Sequence, residues 1–308
     1  MTELRFDGRV AVITGAGRGL GRSYALLLAS RGCRVVVNDN GSATRGDDVI
    51  ANPADDVVAE IEAAGGEAIA CAESVATPEG AATIVQSAID TWGRIDILIH
   101  NAGNVRYGKI ADLSIEDFDA VTDVHFKGGF YLAKAAMPHM IAAQYGRVIL
   151  TASCSGLYGS QTTVNYGMSK AGLMGLNNVI ALEGGDYGIQ SNTIIPAAVT
   201  RMADGLDTSL YPPLEPELVA PMVAWLAHES CAATGEHFVA GGGRMARAFT
   251  TETKGAFSPN WSPEDVASHI DTIRNPEGER WTFPPYPSGM ADHLGETFKW
   301  AHAEAAKL

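Results

Sequence analysis

Tyr166 and Lys170 stand four residues apart, and Ser153 precedes the tyrosine by thirteen residues. A phenol is a weak base at neutral pH because its ordinary pKa is about 10, but a neighbouring ammonium favours the phenolate. Residues at positions i and i+4 share one face of a helix, so a helix here would bring Lys170 to Tyr166. Such a pair can exchange a proton with an alcohol or a ketone. These residue types at this spacing indicate a candidate catalytic site for that chemistry.

The composition excludes several other classes of protein. The chain has 308 residues, 46% of them hydrophobic, which is enough for one large α/β domain. The formal net charge is −14 and no cluster of basic residues stands out, so neither nucleic acid nor a membrane surface is an expected partner. The four cysteines are far apart, which argues against a zinc site or a disulfide framework.

Neither a membrane span nor a signal peptide is visible in the sequence. We therefore predict a soluble, cytoplasmic protein. The last three residues, Ala306-Lys307-Leu308, resemble a peroxisomal address of the small-basic-leucine type, so a peroxisomal location stays open as an alternative.

Short apolar runs alternate with amphipathic stretches, which is typical of a parallel sheet with helical crossovers. We predict strands at residues 10–14, 34–39, 68–72, 95–100, 147–151, 189–195 and 237–240, after which three glycines end the regular pattern. The sequence thus predicts an α/β fold, a Rossmann-type doubly wound parallel sheet of about seven strands. It forms a single domain at residues 1–249. Residues 250–308 are expected to be a C-terminal extension packed on the domain or on its partner in an oligomer.

A glycine-rich loop joins the first predicted strand to the helix that follows. Glycines let the backbone turn tightly and approach a pyrophosphate, whose charge is favoured at the N-terminus of a helix. The context is the one that a dinucleotide loop requires, with a strand before it, a helix after it and an acidic residue ending the next strand. The candidate cofactor-binding residues of the loop are Gly15, Arg18, Gly19, Leu20 and Gly21.

Asp39 is the acidic residue that ends the second strand. Its carboxylate could accept hydrogen bonds from the hydroxyls of the adenosine ribose, and it would repel the additional phosphate of NADP. Asp39 therefore favours NAD as the cofactor. Arg18 is the opposing observation, because a basic residue in this loop can pair with that phosphate.

Four motifs in order make the chain resemble the short-chain dehydrogenase/reductase family. They are Thr-Gly-x-x-x-Gly-x-Gly at 14–21, Asn-Ala-Gly at 101–103, the serine at 153, and Tyr-x-x-x-Lys at 166–170. Residues 37–39, 155–159 and 220–231 narrow the likeness to the (3R)-hydroxyacyl-CoA dehydrogenase module of the peroxisomal multifunctional enzymes of type 2. By this resemblance, the chain is expected to be that module without the hydratase that follows it in the larger enzymes.

The resemblance implies a role for each matching residue. Tyr166 would remove the proton from a secondary alcohol, Ser153 would donate a hydrogen bond to the reacting oxygen, and Lys170 would lower the pKa of Tyr166 and bind the nicotinamide ribose. Further cofactor contacts are implied for Ser74, Val75, Asn101, Ala102, Gly103, Pro196 and Val199. An alanine follows Pro196 where the family usually has glycine, and the main chain near Val199 is expected to reach the nicotinamide carboxamide.

His125 stands where most of the family has asparagine. In the family, that asparagine helps to shape a helix kink whose main-chain carbonyl holds a water next to the catalytic lysine. The narrower group also has histidine there, so the resemblance implies His125 as a candidate catalytic residue. A packed histidine without a role in proton transfer is the alternative.

Three functions remain open at this stage. The first is NAD-dependent oxidation of a 3-hydroxyacyl-CoA in a β-oxidation-type pathway, with a bulky or sterol side chain as one option. The second is a hydroxysteroid dehydrogenase, or another secondary-alcohol dehydrogenase that does not need CoA. The third is a nucleotide-sensing protein without catalysis.

A homodimer or homotetramer is expected, because helices near 114–143 and 164–183 match those that the family buries between subunits. Basic residues at 244, 247 and 254 could meet CoA phosphates or lie at an interface.

Overall fold

The computed structural model describes residues 3–46, 52–199 and 212–307 of the chain. The chain divides into two compact units, Met1–Arg247 and Ala248–Leu308. The sequence predicted that the C-terminal extension starts at residue 250, close to the boundary between the two units. That the extension packs on the domain or on a second copy stays a prediction.

The first unit contains one sheet of eight strands. The strands are β1 Val10–Thr14, β2 Arg34–Asn38, β3 Ala68–Cys71, β4 Ile97–His100, β5 Gly146–Thr151, β6 Ile189–Ala197, β7 Glu236–Gly241 and β8 Arg244–Ala248. Their order in space is β3-β2-β1-β4-β5-β6-β7-β8, and the pairs from β3 to β7 are parallel. The predicted doubly wound α/β fold is therefore confirmed.

Helices cover both faces of this sheet. In chain order they are α1 Gly19–Ser30, α2 Pro53–Ala63, α3 Pro78–Trp92, α4 Ile115–Thr122, α5 Gly128–Ala143, α6 Cys154–Tyr158, α7 Val164–Gly184 and α8 Ala220–Ala227. A π-helical turn at Asp123–Lys127 joins α4 to α5, and short 3₁₀ turns lie at Gly185–Tyr187 and Pro216–Leu218.

Strand β1 shows how the sheet separates two apolar cores. Ala11 and Ile13 point into a cluster that includes side chains of α1, α2 and α8. Val10 and Val12 point into the other cluster, with side chains of α3, α5 and α7. Because successive strand residues face opposite sides, a strand buried on both faces has to be apolar throughout. The sheet and the helices on its two faces form three layers. Because the central strands are buried between the helices, polar residues can reach solvent or a ligand only at the ends of these strands.

The sheet has one strand more than the sequence predicted. Gly242 and Gly243 were read as the end of the regular pattern, but both have positive φ angles, +56° and +76°. Two consecutive residues with positive φ are typical of the tight turn of a β-hairpin. The chain therefore turns back at once into β8, which lies next to β7 at the edge of the sheet and runs antiparallel to it.

The helical region predicted near 114–143 is not one regular helix. The amide of Gly128 donates to the carbonyls of both Asp123 and His125, which marks the end of the π-helical turn. Such turns widen a helix locally and are frequent at functional sites. The π turn lies at the position of the kink expected around His125, and the kink itself stays a prediction.

The second unit, taken by itself, is mostly helical. It consists of a two-stranded antiparallel sheet, β9 Glu252–Thr253 and β10 Arg280–Trp281, with α9 Pro263–Arg274 and α10 Gly289–Ala305. The predicted helix start at Ser262 is present as a capping box, in which the serine Oγ accepts from the Asp265 amide at 3.1 Å. None of the described helices is both long enough and apolar enough to cross a membrane.

Candidate active site

A cavity of about 410 Å³ opens at the carboxyl ends of the central strands. The chain runs outward from β1 through β2 to β3 and returns to β4 on the other side of β1, so the strand order reverses between β1 and β4. Ligands of open α/β sheets bind at this reversal. The volume is also within the range of small-molecule sites.

The glycine loop leaves β1 at one wall of this cavity. Gly15 has a φ of +61°, and a Cβ placed there would lie 2.8 Å from the Cα of Ala102. A Cβ on Gly21 would lie 2.2 Å from the carbonyl oxygen of Gly15. Glycine at both positions therefore allows the loop, the start of α1 and the segment after β4 to approach closely. A dinucleotide-binding turn uses glycines in this way.

Thr14 and Asn101 hold that loop to β4. The hydroxyl of Thr14 accepts from the amides of Asn101 and Ala102, each at 3.1 Å. The side-chain amide of Asn101 donates to the carbonyls of Thr14 and Gly15 at 3.3 and 3.1 Å. The predicted Asn-Ala-Gly motif therefore fixes the geometry of the loop from the neighbouring strand.

Asp39 is held by the backbone on both sides of its carboxylate. One oxygen accepts from the amide of Gly17 at 3.1 Å and the other from the amide of Gly41 at 2.9 Å. A carboxylate has about four acceptor positions, so both oxygens can still accept further hydrogen bonds. Asp39 lines the cavity in this fixed orientation.

The predicted catalytic residues meet at the other end of the cavity. Helix α7 carries Tyr166 and Lys170, and the lysine Nζ lies 5.4 Å from the centre of the tyrosine ring. Lys170 is buried and donates to the carbonyl of Thr151 at the end of β5. Ser153 caps α6 by accepting from the Ser155 amide at 3.1 Å. A hydroxyl that accepts still has its proton to donate, so this capping function is compatible with the predicted one.

Burial controls the ionisation of this group. It raises the pKa of Tyr166, whereas a hydrogen bond with Ser153 acts to lower it. It lowers the pKa of Lys170 to about 7, because a buried ammonium is poorly solvated. Among the described residues, Ser153 is thus the neighbour that favours the phenolate, and the predicted effect of the Lys170 charge on Tyr166 stays a prediction.

His125 lies in the π-helical turn and packs edge-on against Tyr166, with ring centres 5.2 Å apart. Its Nε2 lies within hydrogen-bond distance of the main chain of Asn104, 2.8 Å from the carbonyl oxygen and 3.1 Å from the amide nitrogen. Burial, and then the charge of Lys170, hold the pKa of His125 well below its ordinary value, so the ring is neutral. The structure therefore places His125 in contact with the candidate catalytic tyrosine.

The cavity has features that fit a nicotinamide dinucleotide. Several buried polar atoms of its lining residues have no hydrogen-bond partner within the described part of the chain, among them Arg18 Nη1, Asn104 Oδ1, His125 Nδ1 and Thr151 Oγ1. Buried polar atoms normally have partners, and a polar ligand would supply them. Together with the glycine loop, these atoms fit a polar ligand such as a nicotinamide dinucleotide.

Most of the predicted site residues line this one cavity. They are Gly15, Arg18, Gly19, Leu20, Asp39, Ser74, Val75, Asn101, Ala102, Gly103, His125, Ser153, Tyr166, Lys170 and Pro196. Gly21 does not line it and acts through close packing behind the loop. Val199 does not line it either, and its amide donates to the carbonyl of Leu214 at 2.8 Å. The contact expected between the main chain near Val199 and the nicotinamide carboxamide stays a prediction.

Sequence reasoning missed two segments that also line the cavity. One is the loop after β2, including residues 42–44 and 46, and the other includes Asn104 and Arg106. Arg106 Nε donates to the carbonyl of Arg45 at 3.1 Å, and the Val105 amide donates to the carbonyl of Thr44 at 3.1 Å. The glycine and polar composition of the first loop was the available signal, but its contact with the second segment depends on the tertiary fold.

Comparisons with known proteins agree with this site. The family model described as short chain dehydrogenase matches residues 9–209. The peroxisomal multifunctional enzyme type 2 of Drosophila melanogaster is 46% identical over 255 residues, covering 82% of this chain and 42% of that protein. The solved full-length structure of that enzyme has a TM-score of 0.80 at 35% identity, covering 97% of this chain and 50% of the other.

Two further relatives differ in length. A short-chain type dehydrogenase/reductase of Mycobacterium tuberculosis is 45% identical over 274 residues, covering 88% of this chain and 96% of that protein. The peroxisomal hydratase-dehydrogenase-epimerase of Neurospora crassa is 40% identical over 297 residues, covering 95% of this chain and 32% of the other. The chain therefore spans about a third to a half of the length of these multifunctional relatives and nearly all of the mycobacterial one.

The chain belongs to the short-chain dehydrogenase/reductase family. It is an oxidoreductase that acts on a small-molecule substrate with a nicotinamide cofactor. Within that family it is similar, over part of their length, to the peroxisomal multifunctional enzymes of type 2, as the sequence motifs indicated.

The close packing behind the glycine loop gives a first prediction. A methyl group at Gly21 would lie 2.2 Å from the Gly15 carbonyl and 2.7 Å from the Asn101 side-chain nitrogen, so the loop would have to move. We expect Gly21→Ala to weaken NADH binding at least about tenfold in a titration of nucleotide fluorescence. Gly295→Ala inside α10, where a Cβ meets no atom within 4 Å, is the control and should keep the parent affinity. Equal affinities in both variants would contradict the packing argument.

The buried imidazoles give a second prediction, on stability against pH. The pKa of His125 is held well below 6.5, and that of His100 is lowered to about 4. The folded protein therefore binds fewer protons than the unfolded chain between about pH 6.5 and pH 4. The free energy of unfolding should fall on acidification through this window, by up to about 1.4 kcal/mol per pH unit for each histidine.

Urea unfolding at a series of pH values tests this dependence. His125→Asn should make the slope shallower by up to about 1.4 kcal/mol per pH unit, because one of the two groups is removed. His302→Asn, at an exposed position on α10, is the matched control and should keep the parent slope. A parent-like slope in the His125 variant would show that His125 is not held neutral in the folded protein.

Proposed function

We propose that this protein oxidises the secondary alcohol of a 3-hydroxyacyl-CoA to the ketone with NAD⁺ as the hydride acceptor. The observation that carries the proposal is the convergence of Ser153, Tyr166 and Lys170 with the glycine loop and Asp39 on one cavity. The name of the N. crassa relative supports the substrate class, because a hydratase forms an alcohol that a dehydrogenase can then oxidise.

In the proposed reaction, Tyr166 takes the hydroxyl proton of the substrate. Ser153 donates a hydrogen bond to the same oxygen and supports the negative charge that develops on it. Lys170, anchored on the Thr151 carbonyl, is positioned to hold the nicotinamide ribose and to add positive charge beside Tyr166. The cofactor supplies the hydride acceptor when it is bound. His125 packs against the tyrosine ring and keeps it in place.

Asp39 supports NAD rather than NADP. Its carboxylate is fixed by the amides of Gly17 and Gly41, at the cavity wall where an adenosine ribose would lie. A negative charge held there disfavours an additional phosphate. Arg18, the opposing observation, also lines the cavity, and it is suited to either phosphate group.

Two of the basic residues near 244–254, which could meet the phosphates of coenzyme A, are in ion pairs. Arg247 forms an ion pair with Glu236 at 3.3 Å, and Lys254 forms one with Glu279 at 2.7 Å. Both charges are thus balanced within the chain, so a role for them in binding phosphate stays a prediction.

The homodimer or homotetramer and the cytoplasmic location also stay predictions, and the names of the relatives place those enzymes in peroxisomes.

The substrate proposal is tested by NAD⁺ reduction with a panel of alcohols. The panel contains both enantiomers of 3-hydroxyacyl-CoAs of several chain lengths, steroid alcohols and simple secondary alcohols. We expect the highest kcat/KM with a 3-hydroxyacyl-CoA and a large loss when the thioester is cut back to a free alcohol. Higher kcat/KM with a steroid alcohol would favour the hydroxysteroid function instead. Tight NADH binding without turnover of any alcohol would favour a sensing protein.

Tyr166→Phe tests the assignment of the base. Removal of the hydroxyl should lower kcat by about a hundredfold to ten thousandfold, the usual contribution of a general base, with NADH binding kept within about threefold. Tyr187→Phe, in the 3₁₀ turn after α7, is the control and should retain the parent kcat. Near-parent turnover in the Tyr166 variant would refute the assignment.

Asp39→Asn tests the choice of cofactor. Loss of the charge should reduce the preference for NAD⁺ over NADP⁺ in kcat/KM by at least about tenfold, chiefly through better use of NADP⁺. The variant also disturbs the hydrogen bonds with Gly17 and Gly41, and this disturbance should lower kcat/KM for both cofactors alike. The ratio therefore isolates the charge. A parent enzyme that uses both cofactors equally well would contradict the proposal for Asp39.

A further inference from the structure

His100, the last residue of β4, is a fully buried imidazole between two parts of the site. Its Nδ1 lies 3.1 Å from the hydroxyl of Thr14, which anchors the glycine loop. Its Nε2 lies 2.9 Å from the main-chain oxygen of His125 in the π-helical turn. One ring therefore connects the cofactor loop to the turn that packs against Tyr166.

The hydrogen-bond inventory of Thr14 fixes the tautomer of His100. A hydroxyl has two acceptor positions and one proton. Both acceptor positions of Thr14 are used by the amides of Asn101 and Ala102, at 3.1 Å each. The hydroxyl proton must then be donated to Nδ1 of His100. A neutral imidazole whose Nδ1 accepts carries its proton on Nε2, which donates to the His125 carbonyl.

Two further observations agree with this arrangement. Burial, and then the charge of Lys170, lower the pKa of His100 to about 4, so the ring is neutral near pH 7. Gly129 in the first turn of α5 provides the room for the ring, since a Cβ there would lie 3.1 Å from His100 Cδ2 and 2.7 Å from a methyl carbon of Leu173. The site is therefore shaped around a neutral imidazole of defined orientation.

The carbonyl that His100 contacts belongs to the π-helical turn. It already accepts from the amide of Gly128, and the donated proton of His100 Nε2 occupies its second acceptor position. Because the carbonyl and the imidazole of His125 are parts of one residue, fixing the carbonyl also restricts the ring that lies against Tyr166.

We propose that His100 is a positioning residue whose two nitrogens act on two different steps. Nδ1 orients the Thr14 hydroxyl and thereby the glycine loop, so its loss weakens cofactor binding. Nε2–H fixes the π-helical turn and thereby His125 and Tyr166, so its loss slows the chemical step. The second half of this assignment rests on the proposed function, because it takes Tyr166 as the catalytic base.

Three substitutions separate the two nitrogens. In His100→Asn, the side-chain oxygen can replace Nδ1 as the acceptor for Thr14, but no group reaches the His125 carbonyl. In His100→Gln, the side-chain NH₂ can replace Nε2–H, but Thr14 loses its acceptor. His100→Phe keeps an aromatic ring and removes both contacts. His302→Asn, exposed on α10, controls for removal of a histidine.

Each variant of the full chain is measured for its NADH dissociation constant and for its single-turnover rate of hydride transfer at saturating cofactor. We expect His100→Asn to slow hydride transfer about three- to tenfold with the dissociation constant within twofold of the parent, in line with loss of one buried hydrogen bond. His100→Gln should show the reverse, a dissociation constant about three- to tenfold higher with a nearly parental rate. His100→Phe should show both losses, and His302→Asn neither.

A readout independent of turnover is the ¹⁵N spectrum of the protein labelled at histidine. The parent should show a neutral imidazole protonated at Nε2 that is absent from the His100→Phe spectrum. A neutral tautomer protonated at Nδ1 would overturn the proposal, and so would equal effects of the Asn and Gln variants on rate and affinity. If His100 had a purely structural role, every variant would lose NADH affinity and hydride-transfer rate together, and its thermal stability would also be lower.

The outcome for His100 is distinguishable from that of the proposed function. If the parent oxidises no 3-hydroxyacyl-CoA, the proposed substrate is wrong, and the rates are measured with the secondary alcohol that it does oxidise. The dissociation constants and the imidazole spectrum do not depend on the substrate. Parent-like affinity and rate in all three variants would refute the role of His100 whatever the substrate is.

Discussion

The hydroxyl of Thr14 ties the two halves of the sheet together at the place where the strand order reverses. It accepts from the amides that follow β4 and lies beside His100 at the end of that strand. Adjacent parallel strands part at their carboxyl ends, because the loops that follow them lead to opposite faces. The hydrogen bonds of Thr14 hold the segments after β1 and β4 together across this gap. This junction therefore joins the cofactor loop to the Asn-Ala-Gly segment.

The catalytic end of the cavity is constrained by the cost of burying charge. Lys170 is surrounded by protein, donates to one carbonyl and has its pKa lowered to about 7 by burial. Tyr166 is disfavoured as an anion by the same burial. Each group would be more stable in its charged form if the other were charged as well, since the attraction between them is strong where water is scarce. Coupling of the two ionisations, with a proton transfer that belongs to the pair more than to either residue, stays a prediction.

The sequence predicted the parts of the site that depend on strand ends. Asp39, Asn101 and Ser153 each follow a strand whose apolar run was visible, and parallel strands present their carboxyl ends at one edge. Features that depend on backbone geometry were missed. No feature of the composition marks the π-helical turn. The pair Gly242-Gly243 is equally compatible with a hairpin turn and with the end of the domain, so the sequence alone did not distinguish them. The contact between Thr44 and Val105 joins distant segments, so only the folded chain shows it.

A polar residue at the end of an otherwise apolar strand was the available signal for His100. The strand reads Ile-Leu-Ile-His, and a histidine buried at such a position requires partners for both ring nitrogens. The structure supplies them from two elements that are far apart in sequence, β1 and the π-helical turn. A cationic residue is disfavoured at this place, because the charge of Lys170 opposes a second positive charge there. A side chain at this position therefore has to be neutral, accept a hydrogen bond from Thr14 and donate one to the His125 carbonyl. Among side chains of similar size, a neutral imidazole does so with the fewest rotatable bonds.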